Sequence, residues 1–410
     1  MSQRDDVAAI VRKAVKAVLP RDGVKKALEE MNLTSNRVYI VAAGKAAYTM
    51  AKAAESVLQD RIVDGVVITK YGHAKTPLQR SRIFEAGHPS PDQNSYEATQ
   101  KAIDLVYGLT DQDEVLFLLS GGASSLFEVP IIPEKDLEQI TAKLLGSGAD
   151  IHEINLVRKH LSQVKGGRFA LACFPAKVHA VVLSDVLGNE LSTIGSGPCC
   201  PDKSTGEEAF SVLEKYHINL NADIIETLML ETPKSLTNVD HRIIGDVSML
   251  ASAAKDACEE LGYRTVILTD SLNCEAKEAG SFLASIARYY QGSKKSLAFI
   301  AGGETVVKLQ GTGLGGRNQE IALSAAEGIS GLKDTVIFSF GSDGTDGPTD
   351  AAGGMVDQDT KDKLKEQGIS IYEALKNNDS YHALQAVKSL IVTGPTGTNV
   401  NDVSVVLIKR

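Results

Sequence analysis

Lys45 follows Gly44 at the end of the apolar run Val41-Ala42-Ala43, where a helix is expected to begin. A cation at a helix start opposes the macrodipole, a local cost that an anionic ligand held there would offset. The chain has no G-x-x-x-x-G-K-[ST] pattern, so this is not a Walker loop. Ser120-Gly121-Gly122-Ala123-Ser124-Ser125 closes a second apolar run. Its tandem glycines allow close approach to the backbone, and its hydroxyls can bond phosphate or carboxylate oxygens. Asp185 closes a third run and precedes a Gly-, Ser- and Pro-rich loop. A carboxylate there can accept a hydroxyl proton or hold Mg²⁺. Between these stretches lie Arg158, Lys159, His160, Lys165 and Arg168. The spacing of Arg158 and Lys165 predicts a shared helix face, which on a charge run is most simply a solvated basic face. His160 has no second His or Cys at metal-ligand spacing and is read as structural.

The C-terminal half carries three loops rich in Gly, Thr and Asp: "AGGETVVKLQGTGLGGRNQE" (301–320), "GSDGTDGPTDAAGG" (341–354) and "TGPTGTNVND" (393–402). Asp343, Asp346 and Asp350 do not fit an EF-hand. Following three strands, these loops would line one rim of a sheet. Gly302, Gly303, Glu304, Gly313, Gly315, Asn318, Asp343 and Asp346 are candidate substrate- or nucleotide-binding residues, with Gly44, Ser120, Gly121, Gly122, Ser124, Arg158 and Lys165 from the first half. Gly311, Gly313 and Gly316 match G-x-G-x-x-G, after the apolar run Thr305–Leu309 and before a helix expected over Arg317–Gly328. A dinucleotide fingerprint belongs in the first βα turn of its unit, with an acid at the end of the second strand. Here it comes late, so the spacing alone leaves a nicotinamide enzyme open. Lys45, the basic segment and the Asp-rich loops suit phosphate and Mg²⁺ better, and the glycines then read as an anion loop. Arg317 could clamp a carboxylate or γ-phosphate through its planar fork.

Continuous apolar runs separated by helical patterns predict strands buried on both faces. They fall at 37–44, 65–70, 82–87, 114–120 and 177–185, then at 241–245, 263–270, 296–302, 335–341 and 402–408. Helices are expected over Ala46–Leu58 and Ser95–Tyr107. The polar stretch 230–241 separates an N-terminal α/β domain, 1–232, from a C-terminal one, 240–410. A chain of 410 residues exceeds one ordinary core, and 36 glycines suit the many strand–helix turns of α/β proteins. The net charge of −9 argues against nucleic acid. No run is apolar and long enough for a membrane span. Five irregularly spaced cysteines suggest reduced thiols and a cytoplasmic protein.

In order, "AAGKAA", "SGGASSL", "NLVRKHLSQVKGGR", "LSDVLGN", "GSGP", "GGET", "GLGGRNQE", "GSDGTDGPTDAAG" and "TGPTGTNVND" resemble the ATP-dependent glycerate 2-kinase family with a C-terminal MOFRL domain. They span 41–402. The resemblance implies two doubly wound, Rossmann-like α/β domains with an interdomain active-site cleft, and transfer of the γ-phosphoryl of ATP to the C2 hydroxyl of D-glycerate. Lys45, Asp185 and Arg317 become the expected catalytic residues, with Mg²⁺ held through Asp185 or Asp346. ATP and D-glycerate are the expected small-molecule partners, and a homodimer is admissible. One departure is visible: Asn189 follows Gly188 where family members commonly carry an acid, which leaves Asp185 as the carboxylate of that loop. The alternatives are an NAD(P)H-dependent hydroxypyruvate or 2-hydroxy acid reductase and a non-catalytic small-molecule sensor.

Overall fold

A computed structural model describes residues 3–410. The chain forms two compact units: Pro20–Ile244, and a unit in which Gly245–Arg410 is joined by the segment ending at Leu19. This corrects the expected division into 1–232 and 240–410. The reason lies in helix Gln3–Ala17, whose face of Val7, Ile10, Val11 and Ala14 is buried. It packs against helix Val247–Glu260 of the C-terminal unit. There Asp6 accepts hydrogen bonds from the Tyr263 hydroxyl and Lys409 Nζ, both at 2.7 Å.

The Pro20–Ile244 unit holds β1 (Val38–Ala43), β2 (Ile62–Lys70), β3 (Ser81–Ala86), β4 (Glu114–Leu119), β5 (Lys177–Leu183) and β6 (Val239–Gly245). Their order is β3-β2-β1-β4-β5-β6, with β1 to β5 joined by parallel ladders. Every residue of β1 and β4 is buried, as a sheet covered on both faces requires. Phe117 of β4 packs on Phe127 and Phe169, with ring centroids 4.9–5.4 Å apart across the trio. This cluster pins the chain that leaves β4. Helices Glu134–Gly146, Ile151–His160, Gly206–Lys215 and Ala222–Leu228 form a separate apolar cluster. The second of these helices ends at His160, so Lys165 lies beyond it and the shared helix face with Arg158 does not exist.

The other unit holds β7 (Arg264–Leu272), β8 (Leu297–Gly303), β9 (Thr335–Gly341), β10 (Gly353–Asp357), β11 (Leu390–Ile391) and β12 (Asp402–Ile408), in the order β11-β10-β9-β12-β8-β7. Only β7 and β8 pair in parallel; β12 runs antiparallel to both β8 and β9, and β10 antiparallel to β9. The α/β class holds for both units, and within it the second sheet is mixed and mostly antiparallel. The link from β9 to β10 contains no helix and is too short for a parallel crossover. Strands buried on both faces read as apolar whichever way they run, so composition could not reveal direction. No strand forms over Thr305–Leu309. All five cysteines are free, and among the described residues no helix is long and apolar enough to cross a membrane.

Fully buried Ile10 lies on the helix face turned to the C-terminal unit. Ile10→Ala should cost about 2–5 kcal/mol. Hydrogen exchange should show lost protection in helix Val247–Glu260 and β8 while β1 and β4 keep theirs. Equal loss in both sheets would contradict the assignment of this helix.

Candidate active site

In the first sheet the strand order reverses between β1 and β4, the position where open α/β sheets bind ligands beyond the carboxyl ends of their strands. The loops leaving these strands are joined directly. The Lys45 amide donates to the Gly121 carbonyl at 2.9 Å, and the Ala46 amide to Ser120 Oγ at 3.1 Å. Gly44 has φ +123°, and a Cβ there would lie 2.3 Å from Ser120 Oγ, so only glycine permits the approach. Ser120 therefore serves as a joint between the loops. The Lys45 carbonyl lies 3.0 Å from His73 Nδ1, which must carry the proton to donate.

Gly121 and Gly122 form a floor beneath three functional groups. A Cβ on Gly121 would lie 2.0 Å from Asp185 Oδ2. One on Gly122 would lie 2.8 Å from the His88 ring and 3.4 Å from Lys45 Cε. Lys45 and Asp185, distant in sequence, thus meet over one glycine pair, and His88 joins them from the end of β3. Burial together with Lys45, Lys70 and His73 pushes the His88 imidazole down to about 4, so it is neutral at neutral pH. His88 was not among the residues expected from sequence. Its signal was available in Gly87-His88-Pro89 after a recognised strand, the same placement that singled out Asp185.

Behind the floor lies a buried ionic cluster. Lys165, with no exposed surface, donates to the Phe127 carbonyl at 2.9 Å and pairs with buried Glu128 at 3.0 Å. Burial pulls its pKa down to about 8, opposed by Glu128. Arg158 Nη2 donates to the Ser124 carbonyl at 2.7 Å and to Glu128 at 3.3 Å. Ser124 Oγ lies 3.1 Å from Ser196 Oγ of the "GSGP" loop. Arg158 and Lys165 were expected to bind substrate; here they brace the segment after Gly122 from beneath. His160 is buried between the Leu230 carbonyl and Ser204, the structural role expected of it.

In the second unit, antiparallel β12 brings its first residue, Asp402, opposite Gly303 of β8 and Gly341 of β9. This places the 393–402 loop at the same rim as Gly302-Gly303-Glu304 and Asp343. Arg317 is already engaged there: Nε and Nη2 bond Asp402, and Nη1 bonds Glu304 at 2.7 Å. A free clamp for a ligand is therefore not what this arrangement presents. The glycine loop also departs from expectation. The amides of Gln310 and Gly311 donate to Asn378 Oδ1, that of Thr312 to Asn377 Oδ1, that of Gly313 to the Asn377 carbonyl, and that of Leu314 to Asp379. Any Cβ on Gly311, Gly313 or Gly315 would collide with residues 377–380. The glycines admit another stretch of protein, and these donors are not offered to a phosphate.

Helix Arg317–Gly328 does form, and Asp346 accepts the amides of Asn318 and Gln319 at its start, at 3.1 and 2.8 Å. Asn318 is buried and accepts from Ser339. Asp343 accepts the Thr345 amide at 2.9 Å, a turn contact. Among the described residues no group of three or more His, Cys, Asp or Glu side chains is arranged to hold a metal. Both Asp346 oxygens are committed to helix amides.

Burial pushes the Asp346 carboxyl up to about 6. An unfolded Asp titrates near 4, so the folded protein holds this proton more tightly. The stabilisation is full below about pH 4 and is lost as pH rises through about 6. Asp346→Asn should therefore lose less stability than the parent between pH 4 and 7, by up to about 3 kcal/mol. Urea midpoints at pH 4, 5.5 and 7 measure this, and parallel profiles would refute it.

Residues 6–229 match the family described as "Domain of unknown function (DUF4147)", and 297–402 match the MOFRL family. A D-glycerate 2-kinase of Thermotoga maritima is 53% identical over 405 residues, covering 97% of each chain. A putative hydroxypyruvate reductase of Agrobacterium vitis is 40% identical, over 91% of this chain and 99% of that protein. The crystal structure of a glycerate kinase from Thermotoga maritima superposes with a TM-score of 0.97 at 51% identity, over 99% of both chains. With the motif order, both halves and the full-length fold in agreement, the chain belongs to the glycerate 2-kinase family that joins a DUF4147 half to a MOFRL domain.

Proposed function

We propose that the protein transfers the γ-phosphoryl group of ATP to the C2 hydroxyl of D-glycerate, giving 2-phosphoglycerate. The observation that carries this reading is the meeting of Lys45, His88 and Asp185 over Gly121-Gly122 at the strand-order reversal. Phosphoryl transfer asks little covalent chemistry of a protein and much positioning and charge stabilisation. The Lys45 ammonium balances charge on the transferring group. Asp185 takes the proton of the attacking hydroxyl as the new O–P bond forms and the bond to ADP breaks. Neutral His88 can hydrogen-bond substrate without adding charge. A divalent cation accompanying ATP supplies neutralisation of the phosphates. Such a cation would be held mainly by the ATP phosphates, with one or two carboxylates from the protein; if Asp185 is one of them, it would orient the hydroxyl and not act as its base. Arg317, committed to Asp402 and Glu304, is assigned the positioning of its own rim.

The reductase reading draws on a similarly named relative and on the strand order, which is that of dinucleotide-binding sheets. Against it, the first βα turn here reads Gly44-Lys45-Ala46-Ala47 without a glycine trio, and the G-x-G-x-x-G segment spends its amides on residues 377–379.

Incubation with ATP, Mg²⁺ and D-glycerate should yield 2-phosphoglycerate, detected through coupled enolase. NADH oxidation with hydroxypyruvate and no ADP release would overturn the kinase reading. Lys45→Met should lower kcat by about 10²–10³, the scale of removing one electrostatic stabiliser. Asp185→Asn should cost about 10²–10⁴ in kcat. Both variants should melt near the parent temperature, and unchanged kcat in either removes that residue from the mechanism.

A further inference from the structure

A second cationic site lies in the Pro20–Ile244 unit, outside the groups that cover the glycine floor. A cleft of about 430 Å³ is lined by Arg21 and Lys25 of helix Pro20–Glu30, by Tyr48, Thr49 and Lys52 of helix Ala47–Leu58, and by Lys75 from the loop after β2. Tyr48 is buried, and its hydroxyl is fixed by Thr76 at 2.8 Å. Lys52 Nζ stands 5.7 Å from the centre of its ring. The wall is thus a fixed aromatic face with a cation held against it.

None of Arg21, Lys25, Lys52 and Lys75 forms an ion pair among the described residues, although 25 such pairs occur elsewhere in this net-acidic chain. Glu55, on the same helix as Lys52, is turned to the backbone amides of Gln79 and Arg80. Surface lysines normally sit interspersed with acids; four converging on one concavity raise a local positive potential that an anion would relieve. A single phosphate would satisfy one or two of them. A chain of linked phosphates matches both the number of cations and the size of the cleft.

We propose that this cleft binds a polyphosphate group, either the free chain or the phosphates of a nucleotide. The proposal rests on this unit's own geometry and not on the kinase assignment. Thr49 and Lys52 lie on the helix that follows Lys45 directly, so an anion bound here would stiffen the first turn of the helix that presents Lys45.

The test uses the full-length protein and a Lys25→Gln/Lys52→Gln double variant. Titration calorimetry with inorganic tripolyphosphate, ATP and orthophosphate should show the parent binding tripolyphosphate more tightly than orthophosphate. The double variant should bind tripolyphosphate weaker by about tenfold per cation removed. Its melting temperature without ligand should equal or exceed that of the parent, since like-charge repulsion is reduced, and tripolyphosphate should raise it far less. If ATP and tripolyphosphate both lose affinity in the variant, the phosphate chain is the feature read, whatever its source. If only ATP loses affinity, the free chain is excluded as a ligand and a nucleotide is the occupant. Undiminished binding of both by the double variant would overturn the proposal. Kinase activity at saturating ATP, measured separately, tells its failure apart from failure of the assigned reaction.

Discussion

Between β1 and β4 there is no room for a side chain at Gly44, and the first rim is built on that constraint. Because the two loops touch, Ser120 and Gly121 can satisfy the backbone of Ala46 and Lys45 directly. The exit of Lys45 is thereby fixed relative to the glycine floor, whose missing side chains let Lys45, His88 and Asp185 come close to its backbone. Support comes from beneath. Glu128 draws Lys165 and Arg158 into the interior, and each also grips a carbonyl of the segment after Gly122. Stripping water from such charges costs several kcal/mol per ion, and only mutual pairing with further hydrogen bonds offsets it. Lys165, held down to about 8, still keeps its proton at neutral pH because Glu128 and Phe127 answer it.

The two rims handle charge in opposite ways. On the first, burial and the nearby Lys45, Lys70 and His73 together push the His88 imidazole down to about 4. On the second, Arg317 is saturated by Asp402 and Glu304, and Asp346 is spent on a helix start. The first rim gathers cations around one histidine, whereas on the second the cation is already held by carboxylates that keep the loops in register. This contrast, more than any motif match, separates the chemistry of the two halves.

Much of the architecture was legible from sequence because buried strands read as apolar runs, and a run of that kind marks ten of the twelve strands, even half-exposed β6 and β7. The other two, β10 with its Gly353-Gly354 start and two-residue β11, carry too little apolar sequence to stand out. Strand direction left no trace for the same reason that the strands were visible. Lys45 and Asp185 could be placed at one sheet rim because they end apolar runs. Arg158 and Lys165 were misjudged because their partner, Glu128, looked like any loop acid until the fold buried it. The G-x-G-x-x-G spacing was a true signal of close approach, but sequence cannot say whether ligand or protein does the approaching; here it is residues 377–380.

The allegiance of helix Gln3–Ala17 makes Pro20–Ile244 an insertion within the other unit. On the ribosome this reverses the usual order. The helix emerges before the unit it serves, and its partners Tyr263, Thr398 and Lys409 follow only after the whole inserted unit has been made. At about 5–20 residues per second, its apolar face waits on the order of tens of seconds. The inserted unit has its own sheet and core and can close during that interval. Completion of the other unit has to wait for its last strand, β12, and until then the buried face of the early helix lacks the partners that cover it in the fold.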